Sequence, residues 1–140
     1  MNVRYFDNAA TTRVKDEVLE EMLPYLKEKF GNPSSMYTIG REAKKAIENA
    51  RERVAKLINC KANEIYFTGS GSESDNTAIK GIAHKRAFKG KHIITSKIEH
   101  HAILHTCEYL ERRGFEVTYL DVDENGIVDL EQLKASIRPD

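Results

Sequence analysis

The chain has 140 residues, 40% apolar and 31% charged, which is enough for one domain with a core and argues against disorder. Its 22 Lys and Arg balance 22 Asp and Glu, so the charge gives no sign of a nucleic-acid partner. Cys60 and Cys107 have no zinc-like spacing, no signal peptide is recognisable and no apolar run approaches the roughly 18 residues of a membrane span, so the sequence predicts a cytoplasmic protein.

The first half of the chain is predicted to be helical. Apolar residues recur at helical spacing over residues 15–30, where Pro24 is expected to kink or split the helix. Residues 31–35 have the composition of a turn. A second helix is predicted over residues 42–58, with alanine and aliphatic side chains on one face and charges on the other.

From residue 64 onward the pattern alternates. Strands are predicted over residues 64–68, 91–96 and 115–120, and helices over 73–86 and 102–113. Asp129 and Gln132 resemble a capping box that opens a last helix ending at Ile137. The predicted class is therefore α/β, with N-terminal helices followed by βαβαβ units and a parallel sheet. Three strands are few for such a sheet, so we expect the chain to be part of a larger protein.

One loop has the composition of a phosphate site. Residues 68–73 read Thr-Gly-Ser-Gly-Ser-Glu and lie between a predicted strand and a predicted helix. Glycines allow a ligand to approach the backbone, and the first turn of a helix presents unpaired N–H groups. Gly71 and Ser72 are therefore candidate phosphate ligands. The alternative is that Ser72 only caps the helix, and the local sequence does not decide between them.

The second candidate is a histidine at the end of the next predicted strand. Because ligands of α/β proteins lie beyond the carboxyl ends of strands, His100 and Gly71 are expected to border one pocket. A metal site is a weaker alternative, because His101 and His105 would share a helix face but no further ligand cluster is evident. A surface or helix-capping role for His100 also remains open. Neither cysteine has the surroundings of a reactive thiolate.

Four motifs together resemble the NifS/IscS-type cysteine desulfurases, which belong to the class V aminotransferase group of fold type I pyridoxal-phosphate (PLP) enzymes. They are residues 7–12, 30–35, 67–76 and 96–100, and they follow one another at the family's spacing along the whole chain. The Phe-Gly-Asn-Pro-Ser-Ser stretch favours this branch over the SufS-type enzymes.

The resemblance implies an activity and a set of roles. PLP would be the cofactor, with Gly71 and Ser72 on its phosphate and His100 stacked on its pyridine ring as a catalytic residue. The substrate would be L-cysteine, and the sulfur would pass to an acceptor such as an Fe–S scaffold protein. The family is homodimeric. Residues 1–14 would belong to the small domain at the active-site entrance, and 15–140 to part of the PLP-binding large domain.

The chain also departs from the family. The usual Thr-Ser-Gly-Gly/Ala-Thr-Glu loop reads Thr-Gly-Ser-Gly-Ser-Glu here, although Ser72 keeps a hydroxyl. The family's cofactor-binding lysine, pyridine-facing aspartate and persulfide cysteine have no match, and His84-Lys85 lies in a predicted helix without the preceding serine. We therefore expect the chain alone to be inactive. A non-catalytic, partner-dependent phosphate-binding module and another class V PLP enzyme are the alternatives.

Overall fold

The computed structural model of the chain describes residues 4–139, which form two compact units divided between Tyr66 and Phe67. The first unit contains helices α1 (Asp16–Lys27) and α2 (Thr38–Leu57) and a 3-10 turn (Ala62–Glu64). The second contains α3 (Gly71–Arg86), β1 (His92–Ser96), α4 (His101–Glu111), β2 (Glu116–Leu120) and α5 (Leu130–Ser136). No helix within residues 4–139 combines the length and the apolar character that crossing a membrane requires.

Helix α1 runs through Pro24 as one helix of 12 residues, so the predicted split is wrong. Proline removes one N–H and crowds the preceding turn, but the rest of the helix keeps its bonds. The carbonyl of Pro24 then accepts from the N–H groups of Glu28 and Lys29 (2.9 and 2.8 Å), which closes the last turn. The helix therefore ends at Lys27, three residues before the predicted end.

Helix α2 confirms the second predicted helix but begins earlier, at Thr38. The guanidinium of Arg41 donates to the Met36 carbonyl (3.0 Å) and to the Thr38 hydroxyl (3.3 Å), which holds the first turn together. Ala43, on the apolar face that the sequence pattern indicated, is buried, and so is Ala55, which lies outside that face. The added turn contains Gly40, whose poor helix propensity concealed it in the sequence.

The predicted strand over residues 64–68 is wrong. Glu64 ends the 3-10 turn, and the following residues are extended without joining the two-stranded sheet of the described residues. Extended backbone becomes a strand only when a neighbour completes its hydrogen-bond ladder. Here the Ile65 carbonyl instead accepts from the guanidinium of Arg51 on α2.

The second unit confirms the α/β class through one βαβ unit. β1 and β2 pair in parallel, with His92 opposite Glu116 and Ser96 opposite Leu120, and α4 connects them. The core lies beneath α4 and β2, where the buried side chains are apolar apart from one threonine: Thr106, Cys107, Leu110, Phe115 and Leu120. The unit thus places the carboxyl end of β1 next to the start of α4.

Helix α5 begins as predicted, but only half of the capping box is present. The Asp129 carboxylate accepts from the N–H groups of Glu131 (2.9 Å) and Gln132 (3.2 Å). The Gln132 side chain does not return to the cap. It binds Asp121 instead, accepting from its N–H (2.7 Å) and donating to its carboxylate (3.1 Å). This arrangement joins α5 to the end of β2.

Candidate functional site

The loop before α3 is held together by its own side chains. The hydroxyls of Thr68 and Ser74 lie 2.6 Å apart, and both also contact the Ser70 carbonyl, at 3.0 and 3.3 Å. The Glu73 carboxylate accepts from the Gly69 N–H at 2.7 Å. These bonds occupy the polar side chains around the loop and leave the amide end of the helix as its open surface.

Ser70, and not Ser72, is the N-cap of α3. Its hydroxyl accepts from the Glu73 N–H at 3.2 Å, so the capping alternative raised for Ser72 is wrong. Gly71 and Ser72 are the first two helical residues, whose N–H groups have no carbonyl partner within the helix. Apart from its chain neighbours and the backbone of its own helix, no heavy atom lies within 4 Å of the point where a Cβ of Gly71 would stand. An anion can therefore approach these two amides closely.

His100 is the N-cap of α4. The Ala102 N–H donates to its Nδ1 at 3.1 Å, so a neutral ring carries its proton on Nε2. The segment leading to it is anchored twice, because the Ser96 hydroxyl donates to the Glu99 carboxylate (2.9 Å) and the Lys97 N–H donates to the Leu120 carbonyl (3.0 Å). The capping role and an exposed, available Nε2 coexist.

The structure places Ser72 and His100 along one open groove of about 510 Å³ in the second unit. Both side chains are exposed. The remaining walls come from the facing sides of α3 and α4, through Asn76, Lys80, Thr106, Tyr109 and others. Two cationic side chains, Lys80 and Arg112, border the groove. The groove therefore includes His100 and Ser72, whereas Gly71, which was expected to border one pocket with His100, is not among its lining residues.

The groove fits a phosphate-bearing group. The amide end of a 16-residue helix carries partial positive charge, and the open space at Gly71 admits an oxygen atom. The Ser72 hydroxyl adds a donor. Sequence reasoning missed Asn76 and Thr106, which also line the groove. Asn76 could have been found, because it lies one helical turn after Ser72, whereas nothing in the sequence around Thr106 distinguishes it.

Of the other sequence candidates, His101 and His105 also line the groove, whereas Cys60 and Cys107 are not among its lining residues. The rings of His101 and His105 stack with centroids 5.4 Å apart, and no group of three or more metal-ligating side chains occurs within residues 4–139. Cys107 is 1% exposed, and burial, followed by the nearby Glu111 and Glu99, raises the pKa of its thiol. Cys60 is half-buried and free.

The motif stretches of the first unit form turns. The Asp7 carbonyl accepts from the Ala10 N–H at 3.1 Å, and the Asn32 side chain accepts from the Ser34 N–H at 2.9 Å. Their expected place at an active-site entrance stays a prediction, as does the division of the chain at residue 14.

Comparison with known proteins places this site in a family. The aminotransferase class-V profile matches residues 4–140. The cysteine desulfurase IscS of Clostridium botulinum (strain Hall) is 60% identical over 133 residues, which are 95% of this chain and 34% of that protein. A solved structure named "NIFS-like protein" has a TM-score of 0.90 at 47% identity and covers 95% of this chain and 36% of its own.

A second solved structure, "SspA in complex with cysteine", has a TM-score of 0.90 at 44% identity, covering 98% of this chain and 40% of that one. The chain spans about a third of the length of the curated relatives it matches. The family profile extends across both compact units, including the α3 loop and His100. The chain belongs to the aminotransferase class V family.

Proposed function

We propose that this chain supplies the cofactor-phosphate site of a PLP-dependent cysteine desulfurase, which converts L-cysteine to L-alanine and transfers the sulfur to an enzyme cysteine. One observation carries the proposal: Ser72, at the amide end of α3, and His100, at the start of α4, border the same open groove. The similarity to proteins named cysteine desulfurase IscS supports the choice of reaction.

The phosphate would be held at the start of α3. Its charge would be stabilised by the N–H groups of Gly71 and Ser72 and by the helix dipole, with the Ser72 hydroxyl as a further donor. When bound, PLP supplies the electron sink for cleaving bonds at the substrate's carbon atoms. The protein's task at this position is to fix the cofactor against the groove.

His100 would act through Nε2. The Ala102 N–H occupies Nδ1, which orients the ring and leaves Nε2 to hold or release a proton near the substrate. Within the β1–α4 connection, the Glu99 carboxylate accepts from the Ser96 hydroxyl and the Lys97 ammonium pairs with Asp121. A fixed ring can face the bound cofactor without losing further rotational freedom on binding.

Substrate, acceptor and assembly belong to the same proposal. L-cysteine as substrate is supported by the neighbour solved with cysteine. We propose an Fe–S scaffold protein as sulfur acceptor, a homodimeric assembly and a cytoplasmic location, each following from the likeness to IscS-named relatives.

The test is a chimera in which this chain replaces the matching 133 residues of the Clostridium botulinum relative. The chimera is expected to bind PLP and to release alanine and sulfide from L-cysteine. Ser72→Ala should weaken PLP binding about 5- to 10-fold, the loss of one charge-assisted hydrogen bond. His100→Ala should reduce kcat by about 100-fold or more, as expected for a lost proton-transfer group.

Matched controls lie on the same helix outside the groove. Thr77→Ala removes an exposed hydroxyl one turn beyond Ser72, and His84→Ala removes an imidazole from the far end of α3. Both should retain PLP affinity and rate. A chimera that folds but binds no PLP, or equal losses in control and site variants, would contradict the proposal.

A non-catalytic phosphate-binding module is the second candidate, and it would use the same groove and the same amide end of α3. Both candidates predict that the chain alone releases no sulfide from L-cysteine above the background of free PLP. The two candidates differ in the chimera, because only the desulfurase proposal predicts that the chimera releases sulfide from L-cysteine.

A further inference from the structure

Asn76 forms a bridge between the two helices that border the groove. Its side-chain N–H donates to the Ser72 carbonyl at 2.9 Å, and its Oδ1 accepts from the Thr106 hydroxyl at 2.8 Å. The orientation of the amide is determined by these partners, because the Ser72 carbonyl can only accept and therefore requires the NH₂ group. One side chain thus joins the first turn of α3 to the middle of α4.

The α4 end of the bridge is rigid. Thr106 is 2% exposed and is the buried polar residue of the described core, packed beside Cys107 and Leu110. A buried hydroxyl without a partner is costly, so Thr106 holds Asn76 in place and Asn76 does not swing into solvent. Asn76 itself is half-buried and lines the groove.

The two helices carry the two halves of the site. Ser72 lies in the first turn of α3, and His100 caps the N-terminus of α4. A hydrogen bond from Asn76 to the Ser72 carbonyl holds the first turn from inside the groove, and the bond from Thr106 ties that turn to the helix of His100. The spacing between the phosphate amides and the imidazole therefore depends on this bridge.

We propose that Asn76, held by Thr106, is a positioning residue of the cofactor site, and that it sets the spacing between the Gly71–Ser72 amides and His100. The proposal rests on the proposed function, because it concerns the same PLP phosphate. Asn76 need not contact the cofactor. It acts through the backbone of Ser72, so its loss should affect binding of the phosphate more than binding of the pyridine ring.

The test compares PLP with pyridoxal, which lacks the phosphate, as ligands of the full chain carried in the chimera. Thr106→Val removes the hydroxyl at nearly constant volume, and Thr106→Ser restores it. We expect Thr106→Val to raise the Kd for PLP about 3- to 10-fold while the Kd for pyridoxal changes less than about twofold. Thr106→Ser should match the unsubstituted protein.

Asn76→Ala gives an independent measurement at a half-buried position, because it removes the amide and leaves the hydroxyl of Thr106 in place. It should lose PLP affinity as Thr106→Val does, and the double variant should lose no more than either alone, since both break one bridge. Ser72→Ala combined with Thr106→Val should likewise be less than additive.

Two results would overturn the inference. If Thr106→Val lowers the unfolding midpoint but leaves both Kd values unchanged, the bridge only stabilises the fold. If PLP and pyridoxal weaken equally, the bridge has no special relation to the phosphate. Failure of the proposed function would give a different result, because the unsubstituted chimera would then bind no PLP at all. In that case the positioning role of Asn76 would also be refuted.

Discussion

At the residue scale, glycines of the chain fall into two kinds. Apart from its chain neighbours and the backbone of its own helix, a Cβ placed on Gly71 or Gly81 would meet no heavy atom within 4 Å, whereas a Cβ on Gly40 would lie 2.4 Å from the Ser35 carbonyl oxygen. Gly71 also lacks the positive φ that only glycine adopts easily. The fold therefore does not require glycine at position 71, and the space beside it is available to a ligand.

Gly71→Ala should separate binding from folding. The unfolding free energy should stay the same or rise by about 0.5–1 kcal/mol, because alanine restricts the unfolded chain. PLP binding in the chimera should change less than about twofold, because the family's usual loop carries Gly or Ala at this position and the methyl group leaves both N–H groups accessible. Urea unfolding and a PLP titration measure the two effects.

Gly81→Ala is the control for this experiment, because it adds the same methyl group to an open position within α3. It should be equally or more stabilising and should leave PLP affinity unchanged. A loss of PLP binding in Gly71→Ala but not in Gly81→Ala would contradict this expectation.

The residues around Ser70 show what local sequence could and could not predict. Ser70 and Glu73 have the Ser-x-x-Glu spacing of a capping box, which was a readable signal for the true N-cap. Ser72 is also a good capping residue, and propensity alone does not rank two serines in one loop. The choice depended on where the extended chain turns into the helix. Asn76 and Thr106 were not predictable as a pair, because they meet only when α3 packs on α4.

At the element scale, Asp121 directly follows β2 and contacts two other parts of the unit. Its carboxylate accepts from Lys97, which directly follows β1, and its backbone and side chain bind Gln132 of α5. The Lys97 ammonium, as its hydrogen-bond donor, lowers the pKa of this carboxyl, and Gln132 and the charge of Lys97 contribute further. A lowered pKa means that the carboxylate form favours the folded state above its ordinary pKa. That contribution is lost as the pH falls through the lowered value. α5 is therefore expected to be held most firmly at neutral pH.

Asp121→Asn should remove this acid sensitivity. The wild-type chain should exceed the variant in stability at neutral pH, and the difference should shrink as the pH falls below about 4. Urea unfolding midpoints at several pH values measure it. A difference that is constant with pH would refute the electrostatic explanation.

A second element, the loop before α2, depends on Gly40. The Ser35 N–H donates to the Asn32 carbonyl at 3.0 Å. A Cβ on Gly40 would lie 2.4 Å from the Ser35 carbonyl oxygen and 2.7 Å from the Asn32 carbonyl oxygen. Backbone atoms cannot move aside cheaply. Gly40→Ala should therefore destabilise the first unit by about 1–3 kcal/mol in urea unfolding. A neutral effect would mean that the loop is not packed against α2.

Strands show why element prediction succeeded only in part. The apolar runs of β1 and β2 pair with each other within one βαβ unit, so the local sequence pattern was enough to predict both strands. Residues 64–68 carry the same kind of pattern but acquire no ladder in the described structure. Periodicity reports that a segment can be extended, whereas pairing depends on residues distant in sequence.

At the scale of the whole molecule, more large apolar side chains of the described residues are exposed than are buried. Buried apolar side chains are few, whereas Met22, Ile82 and Phe88 are 46%, 66% and 78% exposed. In the first unit an open groove of about 840 Å³ runs along α1 and α2, lined by residues such as Val18, Met22, Ala46, Ile47 and Val54. Contiguous apolar surface of this kind promotes association.

The isolated chain should therefore self-associate. Light scattering should give a mass that rises with concentration above the 16.0 kDa of one chain. Met22→Glu places a charge in the groove and should reduce the effect, whereas Glu20→Gln on the exposed surface of α1 should not. A monodisperse monomer with one cooperative unfolding transition would refute the expectation.

The α/β class could be predicted from the alternation of patterns in the second half, and the family from motifs spread along the chain. The pattern changes from helical to alternating near residue 64, close to the division between Tyr66 and Phe67, but this change alone did not predict two compact units. Compactness depends on which helices pack together. Hydrophobic faces show that a helix is covered but not by which neighbour.

The parallel pairing of β1 with β2 has a consequence for biosynthesis. Every residue that lines the groove lies between Ser72 and Arg112, and the sheet that supports it is complete at Leu120. The loop to be closed between paired residues such as Ile93 and Val117 is short, and its entropic cost grows only with the logarithm of its length. The groove between α3 and α4 can thus form during synthesis, once the residues up to Leu120 have emerged from the ribosome.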